Sequence, residues 1–310
     1  MRKIIGIGET VLDIIFKNDT PSAAVPGGST FNAMISLGRT ARRDFPGTPV
    51  LMVTEVGDDH IGDIITSFMT TNGVSDESVT RNTGTQSHIS LAFLNENNDA
   101  SYEFYKDHAA ASLSEDKVGL VKFEKGDLVL FGSFFAINPK IRAYTKGLLE
   151  AAHKAGSVLY YDINFRFSHI KDIPDTIENI RENCRLSDFV RGSLEDFKYL
   201  FGIDDPQQVY ENEICQLCPN FICTCGADPV HVFTPDMHKT YDVKPVETVS
   251  TIGAGDNFNA GFLYGLLESD ICSSKVDVQI WDKLIATAGQ FSAAACQSLN
   301  NYVDADFEIK

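Results

Sequence analysis

The stretch Ser250-Thr251-Ile252-Gly253-Ala254-Gly255-Asp256-Asn257-Phe258-Asn259-Ala260-Gly261-Phe262 puts a Gly-Ala-Gly turn in front of an apolar helical pattern. Small residues let the backbone come close to a ligand. The first amides of a helix have no intrahelical partner, and the macrodipole favours an anion beside them. A transferring phosphoryl group suits that position. Asp256, at the helix start, is placed to take a proton from an attacking hydroxyl while the amides stabilise developing charge. Taken alone, the stretch is equally a capped tight turn, because Asp is a common N-cap and Gly-Ala-Gly a common turn.

Outward from this stretch, strand and helix patterns alternate. Strands are expected at Ile4 to Gly8, Val50 to Glu55, Leu128 to Phe131, Val158 to Asp162, Phe189 to Arg191, Phe221 to Thr224 and Val230 to Phe233. Helices are expected at Ser29 to Arg39, Ile61 to Thr71, Pro139 to Lys154, Ile173 to Arg185, Gly255 to Glu268 and Val278 to Gln297. The rhythm predicts an α/β fold with a doubly wound, mostly parallel sheet flanked by helices. Two segments break it. Val11 to Lys17 follows the first strand without a helix, and Ser87 to Tyr105 alternates like a hairpin around Asn95-Glu96-Asn97-Asn98-Asp99. Inserted strands there predict a small β-sheet lid that excludes water from phosphoryl transfer.

The 310 residues are 43% hydrophobic and 22% charged, enough for a substantial core. A formal net charge of −17 repels nucleic acid and anionic membranes, so neither is an expected partner. Any polyanion must be held by local features such as helix starts, Gly-rich amides and Mg²⁺. The apolar run at the N-terminus is too short for a signal peptide and meets Glu9 and Asp13. No stretch has the roughly 18 consecutive apolar residues of a membrane helix. The expected compartment is the cytoplasm. Cys215, Cys218, Cys223 and Cys225 lack the spacing of paired zinc knuckles and are expected as buried thiols.

Several landmarks together resemble one family. Gly253-Ala254-Gly255-Asp256 with the helix after it resembles the C-terminal signature of the ribokinase-like (PfkB) carbohydrate kinases. Gly27-Gly28-Ser29-Thr30-Phe31-Asn32-Ala33 resembles the N-terminal signature. Gly8-Glu9-Thr10-Val11-Leu12-Asp13 and Gly57-Asp58-Asp59-His60-Ile61-Gly62 are similar to further family segments, all in family order. The resemblance implies one ribokinase-like domain over residues 1–310, with lid strands at about 11–17 and 87–105. It also implies ATP and a small sugar as substrates. Asp256 would be the catalytic base, with the Gly253, Ala254 and Gly255 amides as the anion hole. Asp13, Gly27, Gly28 and Asn32 would hold sugar hydroxyls. Asp162-Ile163-Asn164-Phe165-Arg166 is similar to a motif of fructokinases and 2-keto-3-deoxygluconate kinases, with Asn164 and Arg166 orienting the substrate. Thr224, Gly226, Ala227 and Asp228 resemble the nucleotide-side turn, to which Gly253 and Gly255 also contribute.

The chain departs from the pattern at three places. Ser250 stands where the family has an Asp that helps bind a monovalent cation, so potassium is not carried over. Ser193-Leu194-Glu195-Asp196 replaces Asn-x-x-Glu, which leaves Asp196 or Glu195 as the acid for Mg²⁺ through water. Pro229 replaces a common Gly and removes an amide donor. A dinucleotide-binding oxidoreductase is disfavoured, because Gly6-Ile7-Gly8 is followed by Val11 where the fingerprint needs Gly. No Gly-Lys pair exists for a P-loop. A non-catalytic sugar-binding paralogue has no need of Asp256. Fructose or a keto-sugar acid is the expected substrate, with ribose, other furanoses and nucleosides as alternatives. Ile89, Leu91, Phe93, Phe104 and Tyr105 give the lid apolar faces on which a homodimer would pack.

Overall fold

The structure is a computed structural model and describes residues 2–94, 100–105, 113–165, 176–298 and 300–309. In chain order its strands and helices begin β1 (Ile4–Ile7), β2 (Val11–Lys17), β3 (Thr20–Gly27), α1 (Ser29–Asp44), β4 (Val50–Gly57), α2 (His60–Thr71), β5 (Val79–Asn82), β6 (Ile89–Leu94) and β7 (Ala100–Tyr105). They continue with β8 (Leu128–Gly132), α3 (Ser133–Ile137), α4 (Arg142–Ala155), β9 (Val158–Asp162), α5 (Thr176–Leu186), β10 (Phe189–Ser193), α6 (Leu194–Phe201) and α7 (Pro206–Val209). The last are β11 (Phe221–Cys225), β12 (Asp228–Thr234), β13 (Met237–Tyr241), α8 (Ala254–Glu268) and α9 (Val278–Cys296).

The main sheet has nine strands in the order β13-β12-β11-β10-β9-β8-β1-β4-β5. It is parallel from β11 to β5 and ends in an antiparallel β11-β12-β13 ribbon. Side chains alternate across a strand, so each central strand feeds two cores. Leu128, Leu130, Val158 and Tyr160 join a core with α1, α8 and α9. Val129, Phe131, Leu159 and Tyr161 join the opposite core with α4, α5 and α6. Strands buried on both faces read as continuous apolar runs, which is why they were legible. The order reverses between β1 and β8, the kind of switch point where open α/β sheets bind ligands beyond the strand ends.

The second sheet has four strands, ordered β3-β2-β6-β7. Segments 11–17 and 87–105 are strands here as expected, while the turn at 95–99 lies outside the described residues. Strand β3 was not anticipated. Its Pro21 and Pro26 argue against a strand, yet β3 is a sheet edge, where a missing amide costs no ladder bond. Strands β5 and β13 were missed likewise; both are polar edge strands of the main sheet. The helix expected from Pro139 begins at Arg142, preceded by the short α3. The part of the Ile173 helix before residue 176 lies outside the described residues.

Candidate active site

Two helix starts face each other across the chain. Helix α1 begins after Gly28, whose φ is 122° and where a Cβ would stand 2.4 Å from the Glu9 carbonyl oxygen. Helix α8 begins after Gly253, whose φ is 76° and where a Cβ would stand 2.7 Å from the Asn301 carbonyl oxygen. Both positions therefore need glycine. Neither helix has a capping side chain. Asp256 lies in the first turn of α8 and ties the two starts together. Its Oδ1 accepts from Ser29 Oγ at 2.8 Å and its Oδ2 from Asn32 Nδ2 at 2.8 Å. The Asn32 Oδ1 atom is buried without a protein partner. The loop entering α8 is held from behind, because Asn257 Nδ2 donates to the Gly253 and Asn301 carbonyls at 2.8 and 2.9 Å.

On the α1 side, Asp13 of β2 is buried and its Oδ1 accepts from Ser90 Oγ of β6 at 2.6 Å. A Cβ on Gly27 would fall 2.1 Å from Asp13 Oδ2, so glycine there makes room for the carboxylate. The small sheet buries its Ser90 and Ala92 side and leaves Ile89, Leu91 and Phe93 only half covered. Phe93 stacks on Phe16 of β2, with ring centroids 4.9 Å apart.

Beneath α8 runs a chain of polar groups that sequence reading overlooked. Tyr160 OH donates to Asn259 Oδ1 at 3.0 Å, and Asn259 Nδ2 donates to Asp162 Oδ2 at 2.7 Å. Arg191 donates to Asp162 Oδ1 at 3.0 Å and to Thr224 Oγ1 at 2.6 Å. Burial opposes the Arg191 charge, but Asp162 and the other acids around it keep the guanidinium above its ordinary pKa. A Cβ on Gly255 would meet that guanidinium at 3.0 Å, so the Arg sits directly against the start of α8. The only sequence hint was an Arg inside an otherwise apolar strand. Ser29 and Ser90 were also unassigned, because hydroxyls carry no distinctive spacing.

A cleft of about 1550 Å³ opens on the other side of α8. It is lined by Thr224, Gly226, Ala227 and Asp228 from the β11-β12 turn and by Ala254 and Gly255. The expected nucleotide-turn residues thus share one cavity with Ala254 and Gly255, while Gly253, also expected there, is not part of its lining. Glu195 also lines it. Asp196 does not: its two oxygens accept from the Phe165 amide at 3.0 Å and the Ser193 amide at 2.7 Å, closing a capping box on α6. Burial pushes its carboxyl up to about 6. Ser250 is buried and its Oγ accepts from the Ile252 amide at 3.2 Å, so the hydroxyl serves the local turn.

Asn164 has a positive φ of 35° and its Nδ2 donates to Ser133 Oγ at 3.5 Å, a residue that is itself at φ 53°. Such backbone persists only where surrounding structure holds it. Arg166 lies outside the described residues. The expectation of buried thiols holds for Cys218 and Cys223 and fails for Cys215 and Cys225, which are partly exposed because each sits at the end of its element. Among the described residues no helix is long and apolar enough to cross a membrane.

These features meet in a known class. The family model described as pfkB family carbohydrate kinase matches residues 1–301, and the chain belongs to that family. It is a carbohydrate kinase. The chain is 26% identical over 281 residues to fructokinase-2 of Solanum lycopersicum, covering 86% of this chain and 82% of that one. A double mutant of fructokinase from Vibrio cholerae O395, in a form with fructose, ADP and potassium ion bound, has a TM-score of 0.83 at 21% identity, covering 97% of this chain and 94% of that one. Aminoimidazole riboside kinase from Salmonella enterica, complexed with aminoimidazole riboside and an ATP analogue, has a TM-score of 0.82 at 20% identity, covering 99% and 97%.

Proposed function

We propose that this kinase transfers the γ-phosphoryl group of ATP to a hydroxyl of fructose, with Asp256 as the base. One observation carries the reading. Asp256 stands in the first turn of an uncapped helix start, bonded to Ser29 and Asn32 of the α1 start, and directly follows Ala254 and Gly255, which line the large cleft. The likeness to fructokinases supports the choice of sugar.

The sugar lies against Asp13, Gly27, Gly28 and Asn32 under the small sheet, which acts as the lid. Asn32 Oδ1, buried and unpartnered, accepts from one sugar hydroxyl. Asn164 and Arg166 orient the far end of the substrate. Each carboxylate oxygen has two lone pairs, so Asp256 keeps its bonds to Ser29 and Asn32 while accepting the proton of the attacking hydroxyl. The amides of Gly253, Ala254 and Gly255 face the transferring group, and Thr224, Gly226, Ala227 and Asp228 flank the nucleotide. Bound Mg²⁺ would neutralise charge on the phosphate oxygens. Glu195, a hard oxygen donor on the cleft wall, would hold it through water, whereas Asp196 is committed to its two amides. The half-covered outer face of the lid, with Leu91 and Phe93, is the surface on which a second copy packs.

A coupled ADP-release assay tests the reading with fructose, ribose, 2-keto-3-deoxygluconate, tagatose and adenosine, each with and without potassium. Fructose should give the highest kcat/KM, and added potassium should leave it unchanged because Ser250 brings no charge. A higher kcat/KM on ribose or 2-keto-3-deoxygluconate would reassign the substrate. Saturable sugar binding without turnover on any of them would point to a non-catalytic paralogue.

A further inference from the structure

The loop that enters α8 is anchored at both ends. On its approach, the Val249 and Ser250 amides donate to the Cys296 carbonyl at 2.8 and 3.2 Å. Beyond it stands Asn257, which is fully buried and directly follows Asp256. Its Nδ2 donates one hydrogen to the Gly253 carbonyl at 2.8 Å and the other to the Asn301 carbonyl at 2.9 Å. Its Oδ1 accepts from Ser36 Oγ of α1 at 2.6 Å. Ser36 Oγ in turn accepts from the Val303 amide at 3.2 Å, which leaves its own hydrogen for Asn257. Carbonyls only accept, so these partners fix the direction of the carboxamide.

The C-terminal segment is itself tied to α1. Arg39 donates to the Val303 carbonyl at 2.6 Å, and its guanidinium lies 4.8 Å from the centre of the Tyr302 ring. Asn257 thus stands where α1, the start of α8 and residues 301–303 meet. The Gly253 carbonyl accepts twice from Asn257, at 2.8 Å from the side chain and at 2.9 Å from the backbone amide. A peptide is planar, so a carbonyl held in this way fixes the Gly253–Ala254 plane from which α8 opens. The same helix α1 carries Ser29 and Asn32, which hold the Asp256 carboxylate.

We propose that Asn257 is a positioning residue for phosphoryl transfer: its carboxamide locks the start of α8 to α1, so that the helix-start amides and the Asp256 carboxylate keep one geometry. This rests on the reading of Asp256 and the α8 start given above. Asn257 is buried behind the loop and acts through the Gly253 peptide. A misplacement of about 1 Å at a reacting centre can cost about a hundredfold in rate.

Asn257→Asp is the near-isosteric test. A carboxylate only accepts, so it loses both bonds to the facing carbonyls, and once protonated it regains one donor. Burial raises a carboxyl pKa and brings that protonation into the range of the assay. Turnover is measured with ATP and the best sugar of the panel above, at a temperature where circular dichroism shows each variant folded. At pH 8, Asn257→Asp should lower kcat about tenfold to a hundredfold, with the KM of each substrate changed by less than about twofold. Its kcat relative to wild type should then rise at least about threefold between pH 8 and pH 6, as the donor returns. Ser36→Ala keeps both Nδ2 bonds and should lower kcat only about threefold. If the carboxylate prevents folding, Asn257→Ser carries the kcat test.

A kcat close to wild type in a folded Asn257 variant, or a loss seen only in KM, would overturn the proposal. So would a kcat loss in Asn257→Asp that stays constant with pH, which would make Asn257 a packing residue. Asp256→Asn run in parallel separates the two readings. Lost turnover there with normal kcat in the Asn257 variants sinks the positioning role alone. Normal turnover in Asp256→Asn removes the base, while a pH-dependent kcat loss in Asn257→Asp would still assign the loop geometry to Asn257.

Discussion

Asp256 has different surroundings on its two sides. Towards α1 and the small sheet, the site is made of short side-chain bonds: Ser29 and Asn32 to Asp256, and Ser90 to Asp13, all between 2.6 and 2.8 Å. Towards β11, β12 and α9, the wall is made of turns and small residues, such as Gly226, Ala227, Ala254 and Gly289, around an open cleft. The buried Arg191 joins the two by gripping Asp162 and Thr224. On the proposed reading a polyol, with many hydroxyls at fixed angles, meets the first side, where short side-chain bonds fix the groups that would read it. On the same reading a nucleotide, held largely through phosphate and a flat base, meets the second side, where main-chain amides and small side chains would accommodate it. The departures from the family pattern at Ser193, Asp196, Pro229 and Ser250 all fall on the second side or its approaches.

The contrast can be broken at its hinge first. Asp256→Asn should lower turnover by about two to four orders of magnitude while fructose binding, read by calorimetry, changes little. Near-normal turnover would remove Asp256 from the role of base. Arg191→Met leaves the buried Asp162 with Asn259 but without its charged partner and should cost about 3–5 kcal/mol in urea unfolding. Adding Asp162→Asn should recover part of that loss, as it removes the stranded charge; no recovery would mean that the Arg acts through packing alone.

Asp196 sharpens the second side through pH. Burial raises its folded pKa from 3.8 to about 6. The folded state therefore holds a proton that the unfolded chain has already released, and stability from this group falls as pH rises between about 4 and 6. Relative to Asp196→Asn, the wild type should lose up to about 3 kcal/mol of unfolding free energy across that window. A difference between the two proteins that is constant with pH would show that Asp196 is ionised throughout. The smallest effect belongs to the first side. Asp13→Asn removes a charged acceptor and should raise the KM for sugar about tenfold, with the KM for ATP unchanged. An equal rise in both would place Asp13 outside the sugar pocket.

The elements legible in the sequence were those buried on both faces or carrying a helical stripe. The strands β1, β4, β8, β9 and β11 are continuous apolar runs, and the glycine at each helix start marks a position where a side chain would collide with a backbone oxygen. What escaped notice lies at edges. Strands β3, β5 and β13 are half exposed, polar or proline-containing, and become strands because a neighbour offers a ladder. For the same reason Arg191, Asn259 and Ser29 had no local signature. Their partners are 29, 97 and 227 residues away along the chain.

The sequence by itself determined the alternating α/β order, the two glycine-marked helix starts and the carboxylate at the second of them. These depend on local rules of periodicity, turn conformation and backbone approach. Only the tertiary structure decided that Asp256 would meet Ser29 and Asn32, and that Asp196 would be bound up in a cap while Glu195 lines the cleft. Those outcomes depend on which distant segments pack together. A side chain's chemistry follows from the partners and burial it then acquires, and neither is encoded in its immediate neighbours.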